Sequence, residues 1–208
     1  GFGTPTRMPE IASSYDHARF MNEAWRNKEM DLGEDPGMYG IYNEEELQKF
    51  RDGSDPYGYP NTDWNKEVLL PRAWQQMHSL TASGGSDKVK YFAGFGYVKQ
   101  DALYGDTRTN ESTSGFNRYN ARVNIDANIV DKYLNLSADM AYRQEDRNSI
   151  AGSTSDVFNN MHRNPQTDPG RFPDGNLGKV SLGINPIGLA TEGGWVKDRK
   201  SVLNTRFM

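Results

Sequence analysis

The chain has 208 residues, a formal net charge of −4 and no cysteine. Both signs of charge are mixed along it, with no basic arm or patch, so the electrostatic footprint of a nucleic-acid binder is missing. Without cysteine there is no disulfide framework, thiolate zinc site or Cys nucleophile, and no stretch approaches the roughly 20 apolar residues of a spanning helix. A mean hydropathy of −0.85 would ordinarily read as a water-soluble chain. A membrane β-barrel escapes that inference, because alternating apolar and polar residues cancel in the average. The opening Gly1-Phe2-Gly3, without an initiator Met, reads as the start of an excised or processed segment.

Residues 1–75 read as irregular, with two short helices. Ser13 or Ser14 caps the first, which runs to about Lys28 with Ala18, Met21, Asn22 and Trp25 on one face. Asn43, followed by Glu44, Glu45 and Glu46, caps the second, which ends near Phe50. Turn-rich runs cover 33–40 and 52–64.

From residue 76 the period changes to two. Gln76–Ser83 reads as a short strand, and Gly84-Gly85-Ser86-Asp87 as a tight hairpin turn. In Lys88–Gln100 the odd positions Val89, Tyr91, Ala93, Phe95 and Tyr97 are all apolar or aromatic. Arg118–Ile129 alternates without exception. Tyr119, Ala121, Val123, Ile125, Ala127 and Ile129 take one face, and Arg118, Asn120, Arg122, Asn124, Asp126 and Asn128 the other. After the short turn Val130-Asp131-Lys132 the pattern resumes in Leu134, Leu136, Ala138, Met140 and Tyr142, which predicts an antiparallel hairpin. Residues 144–200 read as one long loop rich in Asn, Asp, Gly and Pro, and 201–208 as the start of a further strand. The expected organisation is therefore 1–75 irregular, 76–143 strands, 144–200 loop and 201–208 strand.

Strands in soluble proteins average about 5–6 residues, whereas the alternation here runs to about 10–13. Ten residues at roughly 3.3 Å each, tilted near 45°, cover about 23 Å, which matches the apolar band of an outer-membrane barrel. Tyr91, Tyr97, Tyr119, Tyr133 and Tyr142 near strand ends fit interfacial aromatic girdles. The expected fold is all-β, an antiparallel transmembrane barrel segment with long loops.

Several runs resemble the SusC/RagA-type TonB-linked outer-membrane transporters. They are Tyr15–Ala24 with its Asn22-Glu23-Ala24 ending, Tyr59-Pro60-Asn61-Thr62-Asp63-Trp64, the stretch from Leu80 to Phe92 followed by Gly96-Tyr97, and Arg118–Asp126. The matches are ordered and span roughly residues 10–140. The resemblance implies a plugged barrel of about 22 strands. It also implies import of oligosaccharide or peptide, a SusD-like surface lipoprotein as partner, and coupling to the TonB complex through regions other than these. The location it implies is the Gram-negative outer membrane, against outer-membrane lipid. These residues match the segment just after the plug and the first strands.

The row Arg118, Asn120, Arg122, Asn124, Asp126 and Asn128 is the candidate lumen-facing set, with hydrogen bonding to a plug as its plain structural alternative. Tyr57, Tyr59, Trp64 and Trp195 are candidate ligand-contacting loop aromatics, with loop anchoring as theirs. His17, His78 and His162 lack metal-ligand spacing, and Asp31, Glu34 and Asp35 lack the calcium-loop pattern. Gly94-x-Gly96 lies within a strand rather than before a helix, so it is no phosphate loop. No catalytic grouping, cofactor or metal site is expected, nor an enzyme activity. A soluble β-sandwich carbohydrate-binding module and a secreted hydrolase are the alternatives from other classes.

Overall fold

The computed structural model describes residues 1–208 except 36, 38, 39, 131 and 132. The protein is mostly β, with 40% of residues in strands and 24% in helices. In chain order the elements are β1 (Phe2–Gly3), α1 (Ser14–Asp31), α2 (Glu44–Asp52), α3 (Trp64–Val68), β2 (Ala73–Gly85), β3 (Val89–Asp101), β4 (Gly105–Asp106), β5 (Glu111–Ser112), β6 (Gly115–Val130), β7 (Leu134–Ile150), α4 (Thr154–Arg163), α5 (Pro186–Thr191) and β8 (Trp195–Phe207). Six strands form one antiparallel sheet in the order β1-β2-β3-β6-β7-β8, and β4 pairs with β5 in a separate ribbon. The large sheet is open, since β1 and β8 form its two edges.

Five of these strands are 13 to 17 residues long. Their register is continuous apart from one irregularity between Asn128 and Val130. The tight connections at Gly85–Val89 and Val130–Leu134 define a turn end, and the long connections a loop end. At the turn end Ser86 N donates to Val89 O and Tyr133 N to Val130 O, which closes both hairpins. Residues 131 and 132 of the expected turn lie outside the described residues.

The helices form where their caps allow. The Ser13 side chain accepts from Asp16 N at the start of α1. Asn43 and Glu46 complete a reciprocal capping box on α2, which ends at Gly53 in the left-handed conformation (φ 64°) that a side chain would strain. Among the described residues the N-terminal part thus holds three helices rather than two, and the first is 18 residues long.

Two further corrections concern 144–200. β7 continues to Ile150 and β8 begins at Trp195, because ladder pairing extends beyond the point where apolar alternation stops. Lys197, Asp198, Arg199 and Lys200 put charge on both faces there, which hides the strand from a pattern of hydrophobicity. Between these strands the segment carries α4 and α5. Ser153 and the pair Asn185-Pro186 provide their N-terminal caps and first turns.

The hydrophobic cores lie away from the body of the sheet. One, at the loop end, joins Trp64, Val68, Tyr104, Ile150, Val157, Met161, Ile187 and Ala190. The other joins Ala18, Leu47 and Phe50, with Tyr15, Tyr42 and Tyr59 packed on it. The loop-end cap is tied together by buried polar side chains as much as by apolar ones. Asn185 Nδ2 donates to the carbonyls of Gly170 (2.8 Å) and Gly178 (2.9 Å). Asp168 accepts from both N and Oγ of Ser181, and Thr62 Oγ1 donates to Asp168 O at 2.6 Å. A side chain on Gly178 would meet Pro169 O at 2.1 Å, so the 169–178 fold-back requires glycine.

Candidate functional site

Antiparallel pairing points directly opposed residues to the same side, so the register sorts every long strand into two faces. On the first face one row is Leu80, Phe95, Ala121, Tyr142 and Leu203. The next is Ala82, Ala93, Val123, Met140 and Thr205, and the next Gly84, Tyr91, Ile125, Ala138 and Phe207. This face is apolar and uncovered: Val123 is 40% exposed and Ile125 43%, although both sit on the central strand. Towards the loop end the row His78, Tyr97, Tyr119, Gln144 and Ser201 bounds it. The His78 ring stacks on Tyr97 at 6.2 Å, Tyr97 lies 5.0 Å from Tyr119, and Tyr142 Oη donates to Gln144. Immediately beyond comes a fully polar row, Gln76, Lys99, Asn117, Asp146 and Arg199, in which Arg199 Nε donates to Asp146 at 2.5 Å. Towards the turn end Tyr91 covers Gly84, and Tyr133 stands in the turn, exposed.

The opposite face collects Arg118, Asn120, Arg122, Asn124, Asp126 and Asn128 from β6, together with Arg143, Glu145, Asp139 and Ser137 from β7. All six candidates on β6 therefore share one side. Arg122 Nε donates to Asn124 Oδ1 (2.9 Å), Asn124 Nδ2 to Asp139, and Ser137 Oγ to Asp126 (2.6 Å). Asn124 with Asp139 and Ser137 with Asp126 thus pair across the ladder. The guanidinium groups of Arg118 and Arg147 each lie 6.0 Å from the Phe116 ring, which belongs to the same face.

The four loop aromatics do not form one site. Trp64 is a correction: it is fully buried at the start of α3, N-capped by Asp63, and its Nε1 donates to Pro165 O at 3.2 Å. Tyr59 is half-buried, edge-on to Phe50 at 5.2 Å, with the Lys49 ammonium 5.0 Å from its ring. Only Tyr57 and Trp195 are exposed, and Trp195 opens β8 instead of lying in a loop. The Lys197 ammonium sits 4.6 Å from the Trp195 ring.

The histidines are dispersed: His17 in α1, His78 in the aromatic row, His162 in the last turn of α4. Among the acidic residues of 31–35, Asp35 accepts from Gly37 N, and a hydrogen bond with Glu29 raises the Glu34 carboxyl above its ordinary value. In the β4–β5 ribbon Arg108 donates to both oxygens of Asp106 and holds that carboxyl down to about 2. Burial raises Glu67 in α3.

The sequence pattern already put Arg143 on the polar side of β7 without including it in the candidate set, and it missed Arg147, which lies beyond the expected strand end at 143. Their signal lay in the alternation, but facing residues on β6 are assigned only once the register is known. Compared with known proteins, the chain matches no family model and no curated sequence.

Proposed function

We propose that this chain forms part of the wall of a TonB-linked outer-membrane barrel that imports bulky nutrients, oligosaccharide or peptide, across the outer membrane. One observation carries the reading: a continuous apolar face, five strands wide and bare, is bounded by aromatic and then charged rows. In water each exposed Leu, Ile, Phe or Met of such a face forfeits part of the roughly 1.5–3 kcal/mol that full burial provides. Against hydrocarbon that cost vanishes, the aromatic row suits the interface, and the charged row suits the water beyond it.

The polar face then lines the barrel interior, where water or enclosed protein hydrates its Asn and Arg side chains. The two open edges of the sheet are the points at which further strands continue the wall, since unpaired backbone groups are not tolerated in lipid. The loop-end cap lies on the outer surface, where a SusD-like lipoprotein docks. Resemblance of the runs at 15–24, 59–64, 80–97 and 118–126 to the SusC/RagA type supports the choice of transporter over other barrels.

The test is fractionation of the full-length protein in its native host. The proposal expects it in the outer membrane, insoluble without detergent, and faster on a gel when unboiled than when boiled. A protein that is monodisperse in buffer alone, with no mobility change on boiling, contradicts it.

A further inference from the structure

On the polar face, four successive rows of the β6–β7 ladder are Phe116/Arg147, Arg118/Glu145, Asn120/Arg143 and Arg122/Ala141. Four arginines therefore step diagonally down the loop-end half of this face, against one carboxylate on β6 and β7, Glu145, and a second on β8, Asp198. Lys200 extends the Arg118 row on β8 and Asp198 the Arg147 row. Diagonal neighbours stand only roughly 7–8 Å apart, so this arrangement concentrates positive potential.

Beside the last two arginines the face is hollowed. The depression holds about 530 Å³ and exists because Gly94 and Gly96 on β3 and Ala141 on β7 give it a floor with almost no side chains. The Phe92 ring stands at one wall, within 3.3 Å of where a Gly94 side chain would begin. Asn120, Arg122 and Arg143 line the others. Arg122 uses Nε on Asn124, and Arg143 lies 3.6 Å from Glu145 through its own Nε. Neither fork engages a carboxylate among the described residues through its terminal nitrogens.

The geometry points to a binding site for an acidic oligosaccharide, a uronate sugar whose carboxylate lies between Arg122 and Arg143. Its ring stacks against Phe92, and a ring hydroxyl meets the Asn120 amide. A planar guanidinium matches a carboxylate bidentately, and an aromatic face beside a flat floor suits a pyranose ring better than a flexible acidic peptide. This inference rests on reading the polar face as the transport path, and it names the substrate class of that path.

The experiment uses the full-length protein in detergent and calorimetric titration with trigalacturonate, its fully methyl-esterified form and triglutamate. Trigalacturonate is expected to bind at least about tenfold more tightly than the neutral ester, and to weaken as salt rises. Arg122→Gln and Arg143→Gln should each weaken it by about tenfold or more, as expected for loss of a charged hydrogen bond, and Phe92→Leu should weaken it less. Equal binding of acid and ester, or unchanged binding by both arginine variants, overturns the site. Tighter binding of triglutamate than of trigalacturonate overturns the sugar assignment in favour of an acidic peptide. Gel mobility of the same samples with and without boiling reads the barrel independently. No trigalacturonate binding by the unsubstituted protein with intact heat modifiability sinks this inference alone, whereas absent heat modifiability sinks the transporter reading.

Discussion

The sheet body and the loop-end cap solve opposite problems with the same residue alphabet. In the cap, Trp64, Val68, Val157 and Met161 are sealed from solvent, and the backbone of 165–185 is pinned by Asn164, Asp168 and Asn185. In the sheet, side chains equally apolar, such as Leu80, Ile125 and Leu203, face outwards with nothing packed on them. The cap is built as a protein that must exclude water from its own interior. The sheet, on the proposed reading, is built as one whose greasy side has its partner outside the chain.

Substitutions that break this contrast should act differently in the two regions. The largest effect is expected from Trp64→Ala, which empties the centre of the cap core at a cost of about 3–5 kcal/mol. Limited proteolysis should then open 154–194 while heat modifiability of the whole protein persists. Loss of both together would mean that the cap and the sheet are one cooperative unit.

Val123→Arg comes next. On the proposed reading Val123 faces lipid, where a charge near mid-membrane costs about 2–4 kcal/mol, so outer-membrane assembly should fail, whereas Asn124→Arg, one residue along on the other face, should assemble normally. Equal behaviour of the two variants on unboiled gels contradicts the assigned facing. Asp168→Ala should destabilise the cap by about 1–3 kcal/mol, since Ser181 N and Oγ lose a charged acceptor at a part-buried site. Faster amide exchange confined to 165–185 is the expected readout.

The smallest effect concerns Asp106. Its carboxyl is held at about 2 by Arg108, below the unfolded value of roughly 3.9. The stabilisation it provides is therefore complete above about 3.9 and disappears as pH falls through about 2. Arg108→Gln should return the Asp106 titration towards the ordinary carboxylate range, followed by carboxyl chemical shifts. An unmoved titration would show that the ion pair is not its cause.

Much of the sheet was legible because residues 118–129 of β6 alternate without exception, and a hairpin with so short a turn allows only antiparallel pairing. The cap was less so. Asp63 before Trp64, Ser153 before α4 and Asn185-Pro186 before α5 are cap signals that lie inside runs of turn residues. Short helices of five and six residues bury too little to impose a visible period. Trp64 looked like an exposed loop aromatic for that reason; its burial comes from contacts with residues about a hundred positions away, at Pro165 and beyond. The arginine diagonal across β6 and β7 depends on register, which two separate strand patterns do not contain.

The most direct measurement uses a cysteine-free background, which these 208 residues already provide. Single Cys substitutions at Val123, Ile125, Asn124 and Arg122 in the full-length protein, each carrying a small fluorophore, are compared in vesicles with and without brominated acyl chains. Strong quenching at 123 and 125 with little at 122 and 124 is the predicted alternation. Quenching that is absent at all four positions, or equal at all four, would contradict a membrane-facing apolar side.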